Sequence, residues 1–356
     1  MLSSKNNYIS LVRFGIGHSA DFSPKDVDWN DLKALAMRQG LSAVLLDGLE
    51  KIPENQRPSK EIMLQWIGEV LQDYDNRYRL YQISIANLAR FYRKHNLKMM
   101  VIKGYACGLD WPKPAHRPCG DIDIWLFGNQ KRADELLSSG KNVSIDKSHH
   151  HHTVFSWNSF TVENHYDFVN VHAHRSSAEL EKIFKKLGQD DTHFTEVEGE
   201  RVYLPSPNLH ALFLIRHMVS HFAAAEISLR QVLDWSFFIE KHTMEIDWDW
   251  LLGLLEKYHM KDFLKCINGV CVDDLGFDAR LFPMLKYNTI LKERVLADII
   301  EPAYETSEPE SFINRQLYRL KRWQENAWKQ KLCYDESRWT MFWNGVWNHL
   351  LKPASI

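Results

Sequence analysis

The 356-residue sequence predicts an α+β protein in which a small, mostly antiparallel sheet is held between an N-terminal and a C-terminal helical lobe. Three observations carry this expectation. Apolar residues recur at helical spacing over 1–96 and again over 206–356. Between them, over 97–205, short apolar runs are bounded by glycine and proline. Two pairs of those runs face each other across turn-forming residues.

In the first lobe Trp29, Leu32, Leu35 and Ala36 repeat at three and four, with Asp28 or Asn30 as the cap. Tyr81, Ile85, Leu88 and Tyr92 mark one face of a helix that should stop near Asn96, a residue type tolerated in a left-handed stop. Leu97–Lys103 is short and apolar and ends at Gly104, as a buried strand does. A proline-containing loop, Trp111–Pro118, separates it from a second strand, Asp121–Phe127. A helix is expected at Gln130–Ser139, then two hairpins. One pairs Thr153–Trp157 with Phe160–Tyr166 across Asn158-Ser159; the other pairs Phe194–Val197 with Arg201–Leu204 across Glu198–Glu200. Helices follow at Leu209–Phe222, Leu229–Lys241 and Trp248–Tyr258, with three tryptophan-rich segments between Ser311 and Leu351. Trp339, Trp343, Trp347 and Leu350 share a spacing without a basic opposite face, which favours packing inside the lobe over a membrane surface. Part of that face is available for a homodimer contact.

Lys and Arg number 44 against 46 Asp and Glu, a formal charge of −2, which disfavours long nucleic acid as a partner. No run reaches the roughly 18 apolar residues of a spanning helix, and Met1–Ala20 lacks the pattern of a signal peptide. A cytoplasmic protein without membrane contact is expected. The five cysteines are scattered and read as free thiols.

The chemistry concentrates at Gly120-Asp121-Ile122-Asp123-Ile124. On a strand Asp121 and Asp123 share a face about 6.6 Å apart, at about 3.3 Å per residue. Two carboxylates among apolar neighbours need a reason to be there, and divalent cations supply one. Glu163, on the returning strand of the first hairpin, offers a third carboxylate, with Asp167 as the alternative. Lys103-Gly104 sits where a strand ends, so the glycine allows a phosphate to approach backbone N–H groups and the lysine adds a point charge. Arg117 either reaches a triphosphate or clamps its loop through backbone carbonyls. His165 should share the face of Glu163 and either orient a carboxylate or contact a phosphate.

Four histidines run from His149 to His152. Strand alternation would send them to opposite faces, so no more than two should share an ion, and the run reads as a polar approach to the hairpin. His172 and His174 read as surface residues. His210, His217 and His221 form one stripe packed against the central lobe, without the glutamate of an HExxH zinc helix. Arg230 and Asp234 are spaced to pair on the next helix.

Taken together, Lys103-Gly104, Trp111-Pro112, Arg117-Pro118-Cys119-Gly120-Asp121-Ile122-Asp123 and Glu163-Asn164-His165 resemble the uncharacterised bacterial nucleotidyltransferase family of the polymerase-beta-like superfamily. His217, His221, Leu229-Arg230 and Asp234 extend the resemblance into the C-terminal lobe. It implies a nucleotidyltransferase sheet in which Asp121, Asp123 and Glu163 are catalytic and hold two Mg²⁺ ions. Lys103, Gly104, Arg117 and Gly120 would then bind the nucleotide, with supporting roles for His165, Asp167, His217, His221 and Arg230. One departure is Lys103-Gly104-Tyr105, where the superfamily usually has Gly-Ser or Gly-Gly. The implied activity is Mg²⁺-dependent transfer of a nucleoside monophosphate from an NTP to an unidentified acceptor, with release of pyrophosphate. The alternatives are a nucleotide-binding regulatory protein without turnover, and a protein-modifying enzyme of the toxin–antitoxin type.

Overall fold

The computed structural model describes residues 2–24, 26–283, 285–303, 311–337, 339, 340 and 343. Helices α1 (Leu2–Gly15), α2 (Trp29–Gln39), α3 (Ser42–Leu49), α4 (Lys60–Val70) and α5 (Arg77–Lys94) come first. Asp28 caps α2 by accepting from the Asn30 and Asp31 amides at 3.0 and 3.2 Å, and Gly40 ends it in the left-handed region. α4 runs into α5 through Leu71–Asn76, a turn of wider pitch. Past α5, Asn96 takes the expected left-handed conformation, φ 56°.

Then follow β1 (Met100–Val101), α6 (Tyr105–Gly108), β2 (Ile122–Trp125), α7 (Gln130–Lys141), β3 (His152–Trp157), β4 (Phe160–His165), α8 (Ser177–Gln189), β5 (Phe194–Val197) and β6 (Glu200–Tyr203). Both hairpins form, β3–β4 turning at Asn158-Ser159 and β5–β6 at Glu198-Gly199, all four with positive φ. The sheet, however, is mixed. Its order is β3-β4-β2-β1-β6-β5, and β2–β4 and β1–β6 run parallel while the other three pairings are antiparallel. Turn residues dictate each hairpin locally, but the long connections through α7 and α8 decide how the hairpins dock on the central pair. Alternation carries no signal for that step. α8 was itself absent from the expected elements, although Leu180 and Phe184, four apart, are both fully buried on it.

The two sheet faces enter different cores. Ile122, Ile124 and Leu126 pack with Val101 and Val162 against Tyr81, Ile85, Leu88 and Tyr92 of α5 and Leu137 of α7. Trp125, Met100 and Ile102 turn the other way, into a larger core shared with α8 and with α9 (Pro207–Ala224), α10 (Leu229–His242), α11 (Trp248–Lys257), α12 (Lys261–Gly269) and α13 (Thr289–Ile300). Asp123 therefore leaves β2 on the side of the C-terminal helices, while Asp121, expected on the strand, lies one residue before it. A capping box of Ser228 and Gln231 starts α10 and fixes where Arg230 and Asp234 fall. α14 (Phe312–Glu325) and α15 (Ala327–Cys333) complete the described helices. Trp339 and Trp343, expected to pack inside, are 65% and 63% exposed; Trp347 and Leu350 lie outside the described residues. His172 and His174 sit in turns, His172 exposed and His174 stacked on Tyr334 at 3.8 Å. Among the described residues no helix is long and apolar enough to cross a membrane.

Candidate functional site

The parallel pairing of β2 and β4 sets Asp123 opposite Glu163 and Trp125 opposite His165. Because neighbours alternate, Asp123, Glu163 and His165 project from one face. Lys103 enters from the end of β1, where the Ile102 amide still bonds the Asp123 carbonyl at 3.1 Å. Its ammonium lies 2.5 Å from Asp123 Oδ1 and 3.7 Å from Glu163 Oε2. His165 Nε2 donates to Asp123 Oδ1 at 3.1 Å and stands 3.4 Å from Glu163 Oε2, while its Nδ1 donates to the Asp167 carbonyl at 3.2 Å. Asp123 is 6% and His165 1% exposed, so these charges are buried and hold one another in place.

The electrostatics follow from this packing. Burial opposes the Lys103 ammonium, but Asp123 and Glu163 outweigh it and hold the lysine above its ordinary pKa. Burial likewise opposes a charged His165, and its bonds to Asp123 and Glu163 reverse that, raising it. Burial pushes the Glu163 carboxyl up, yet His165 and Lys103 overcome it and hold it well below the usual range. Asp121 is raised instead, by desolvation and by the negative charges of Glu163 and Asp123. Three carboxylates thus share two cations, and Asp121 carries the strain.

Two residues of the N-terminal lobe and its junction shape the approach. The Tyr81 hydroxyl donates to the Asp121 carbonyl at 2.7 Å, and Arg77 Nε donates to the Cys119 carbonyl at 3.0 Å. Gly104 has φ 38°, and a side chain there would start 2.7 Å from the Tyr81 hydroxyl, so this corner requires glycine. Nothing lies within 4 Å of the corresponding point on Gly120, at the open rim.

Other expected residues fall elsewhere. Arg117 does not face the carboxylates: its guanidinium forks onto Asp234 at 2.8 and 2.9 Å, with Trp111 Nε1 on the same carboxylate at 2.9 Å. It clamps the loop to α10, mainly through a carboxylate, with one bond to the Pro118 carbonyl at 3.2 Å. Asp234 is therefore taken, and the Arg230–Asp234 pair does not form. Arg230 instead buries an Nε with no partner at the edge of a cleft of about 470 Å³ beside Cys119, shared with Arg38, Arg77 and Asp73. Asp167, the alternative third carboxylate, is held by Lys185 of α8.

The histidine stripe on α9 divides. His210 contacts Cys107 Sγ at 3.6 Å, and burial lowers its pKa to about 4. The His217 and His221 rings lie 4.3 Å apart, tilted by 58°, within reach of the Lys103 charge. Burial, His221 and the Lys103 charge hold His217 well below its ordinary value; desolvation and Lys103 do the same to His221. The His149–His152 run also departs from expectation. β3 begins only at His152, so alternation does not govern the residues before it, and His149, His151 and His152 gather while His150 turns to His172. His151, His152, Tyr81 and Arg77 are the neighbours that sequence reasoning missed. Tyr81 had a signal as a core position, but nothing local marked its hydroxyl's target.

The described site lies within residues 25–273, the span matched by the profile of a family described as uncharacterised nucleotidyltransferase. The chain belongs to this family. In this nucleotidyltransferase-family protein the matched span holds the entire sheet together with α9 and α10. No curated protein matches the chain. Among solved structures, an antigenic nucleotidyltransferase-like protein from Paracoccidioides brasiliensis is similar at 14% identity and a TM-score of 0.34, covering 49% of this chain and 87% of that one.

Proposed function

We propose that this protein transfers a nucleoside monophosphate from an NTP to an acceptor nucleophile, releasing pyrophosphate, with Asp121, Asp123 and Glu163 as the catalytic carboxylates. The supporting observation is the side-by-side placement of Asp123 and Glu163 on parallel strands, with Asp121 just before the strand and near enough for their charges to raise its pKa. The donor set fits Mg²⁺: all three groups offer hard oxygen ligands, and two of them, Asp123 and Glu163, already draw the Lys103 ammonium as a cation. Two ions are proposed, held by Asp121, Asp123 and Glu163. Bound there, Mg²⁺ would acidify the acceptor hydroxyl and neutralise charge on the phosphates.

The remaining roles belong to the chain's own groups. Lys103 balances the carboxylates in the free protein and is placed to shift its charge onto an incoming phosphate. His165 orients Asp123 through Nε2. Gly104 lets the backbone pass close to the nucleotide, and Arg230 and Arg77 present positive charge at the cleft beside Cys119. The acceptor is unidentified, and the near-neutral charge disfavours a long nucleic acid.

A second reading, nucleotide binding without turnover, draws on one observation: the protein's own lysine already bonds to the carboxylates. Calorimetric titration of non-hydrolysable ATP, GTP, CTP and UTP analogues, with and without Mg²⁺, separates the two. Mg²⁺-dependent binding that Asp121→Ala/Asp123→Ala loses while keeping its thermal transition supports transfer. Binding indifferent to both Mg²⁺ and the double substitution supports the second reading.

A further inference from the structure

The histidine run takes no part in the transfer reading, yet it is not a solvated tract. The His151 and His152 rings lie 4.4 Å apart, and they stand 5.5 and 5.1 Å from the ring of His165. One ring nitrogen from each of the three falls within 4.8 Å of the other two. His151 Nδ1 and both ring nitrogens of His152 are buried without a hydrogen-bond partner. A buried polar atom left unpaired costs about 1–3 kcal/mol, and most such atoms in native proteins find a partner. Several orphaned nitrogens converging on one point indicate that something else binds them.

We propose that His151, His152 and His165 form a site for a transition-metal ion of the zinc class, distinct from the carboxylate site although it shares His165. Imidazole nitrogens select zinc-like ions over Mg²⁺, and three of them leave a fourth tetrahedral position open. Glu163 Oε1, 3.8 Å from His152 Nε2, is the carboxylate nearest to hand for that position. His165 is already oriented as metal-bound histidines are, with Nδ1 on a backbone carbonyl and Nε2 turned inward. The backbone is braced as well. The His151 carbonyl accepts from the Tyr166 and Asp167 amides, both at 3.0 Å, and His152 lies opposite His165 in the β3–β4 ladder. Two neighbouring strand ends, pinned together, thus present the three rings. Binding releases the Nε2 proton of His165 to solvent and replaces its bond to Asp123 with a bond to the ion. Occupancy of the histidine site thereby acts on the carboxylate site through the shared His165 and, where it closes the fourth position, through Glu163.

The test is independent of the transfer reading, because no nucleotide is used. Full-length protein is stripped with a chelator and then titrated with Co²⁺, followed by visible absorbance, and with Zn²⁺, followed by calorimetry. The expected result is one ion per chain with the spectrum of nitrogen-rich, tetrahedral cobalt. His151→Ala and His152→Ala should each weaken binding by about tenfold or more, and Asp121→Asn should keep the spectrum. His151→Asn and His152→Gln, which fill more of the vacated space, stand in if the alanine variants lose their thermal transition. Wild-type protein that takes up neither ion overturns the proposal. So does binding that the histidine variants leave intact, or binding that Asp121→Asn abolishes while the histidine variants retain it, since the ion would then sit on the carboxylates.

Discussion

Two buried charge clusters stand on either side of the loop from Trp111 to Gly120, and their bookkeeping differs. In one, Arg117 and Asp234, 8% and 4% exposed, meet through two parallel hydrogen bonds, and Trp111 takes up a further lone pair. One cation answers one anion. In the other, Asp121, Asp123 and Glu163 share Lys103 and His165, Asp121 is raised by its neighbours, and unpartnered nitrogens of His151 and His152 flank the cluster. The first cluster is closed and can only hold the fold together. The second has binding capacity left over, which is what a ligand requires.

That contrast predicts which cluster tolerates loss. Asp123→Asn should lower kcat/KM for nucleotidyl transfer by at least about 10³-fold with the thermal transition retained, as a radiolabelled-nucleotide assay beside calorimetry would show. Arg117→Ala should do the reverse: unfolding in urea should report a loss of about 3–5 kcal/mol, since Asp234 is left as a lone buried charge. An Arg117→Ala variant as stable as wild type would erase the distinction between the clusters.

The junction between them gives smaller effects. Gly104→Ala should destabilise by about 1–3 kcal/mol through its positive φ and its contact with Tyr81. Tyr81→Phe should cost about 1 kcal/mol by removing the bond to the Asp121 carbonyl. Together they should cost less than their sum, because the hydroxyl that clashes with the alanine is gone; additive urea midpoints would refute the contact.

Away from both clusters, Glu181 accepts from the Phe168 and Val169 amides at 2.9 and 3.1 Å, and burial and the Asp167 charge raise its pKa to about 7. A carboxyl raised by folding binds its proton more tightly in the native state. Its contribution is therefore complete below the unfolded value near 4.3 and is lost as pH rises toward 7. Glu181→Gln should flatten that part of the wild-type profile of melting temperature against pH.

Much of the architecture was legible because it is written at short range. The face of α5, its stop at Asn96 and both hairpin turns each depend on residues within a few positions of one another. Asp121, Asp123, Glu163 and His165 stood out because carboxylates among apolar strand residues are costly without a purpose. Arg117 was ambiguous, since nothing near it in the chain names Asp234, 117 residues away, as its partner. Two members of the histidine run, His151 and His152, gather with His165, within the limit of two per ion, but nothing along the chain names His165 as their companion.

By itself, then, the sequence determined the face and stop of α5, both hairpins and which strand carries Asp123, because hydrophobic period and turn chemistry are local properties. Only the tertiary structure decided that β2 and β4 lie parallel, that Lys103 fills the space between Asp123 and Glu163, and that His151 and His152 meet His165. Those outcomes depend on how separate elements dock. Docking is governed by which buried faces and charges satisfy one another across long stretches of chain, and spacing along the sequence does not encode that.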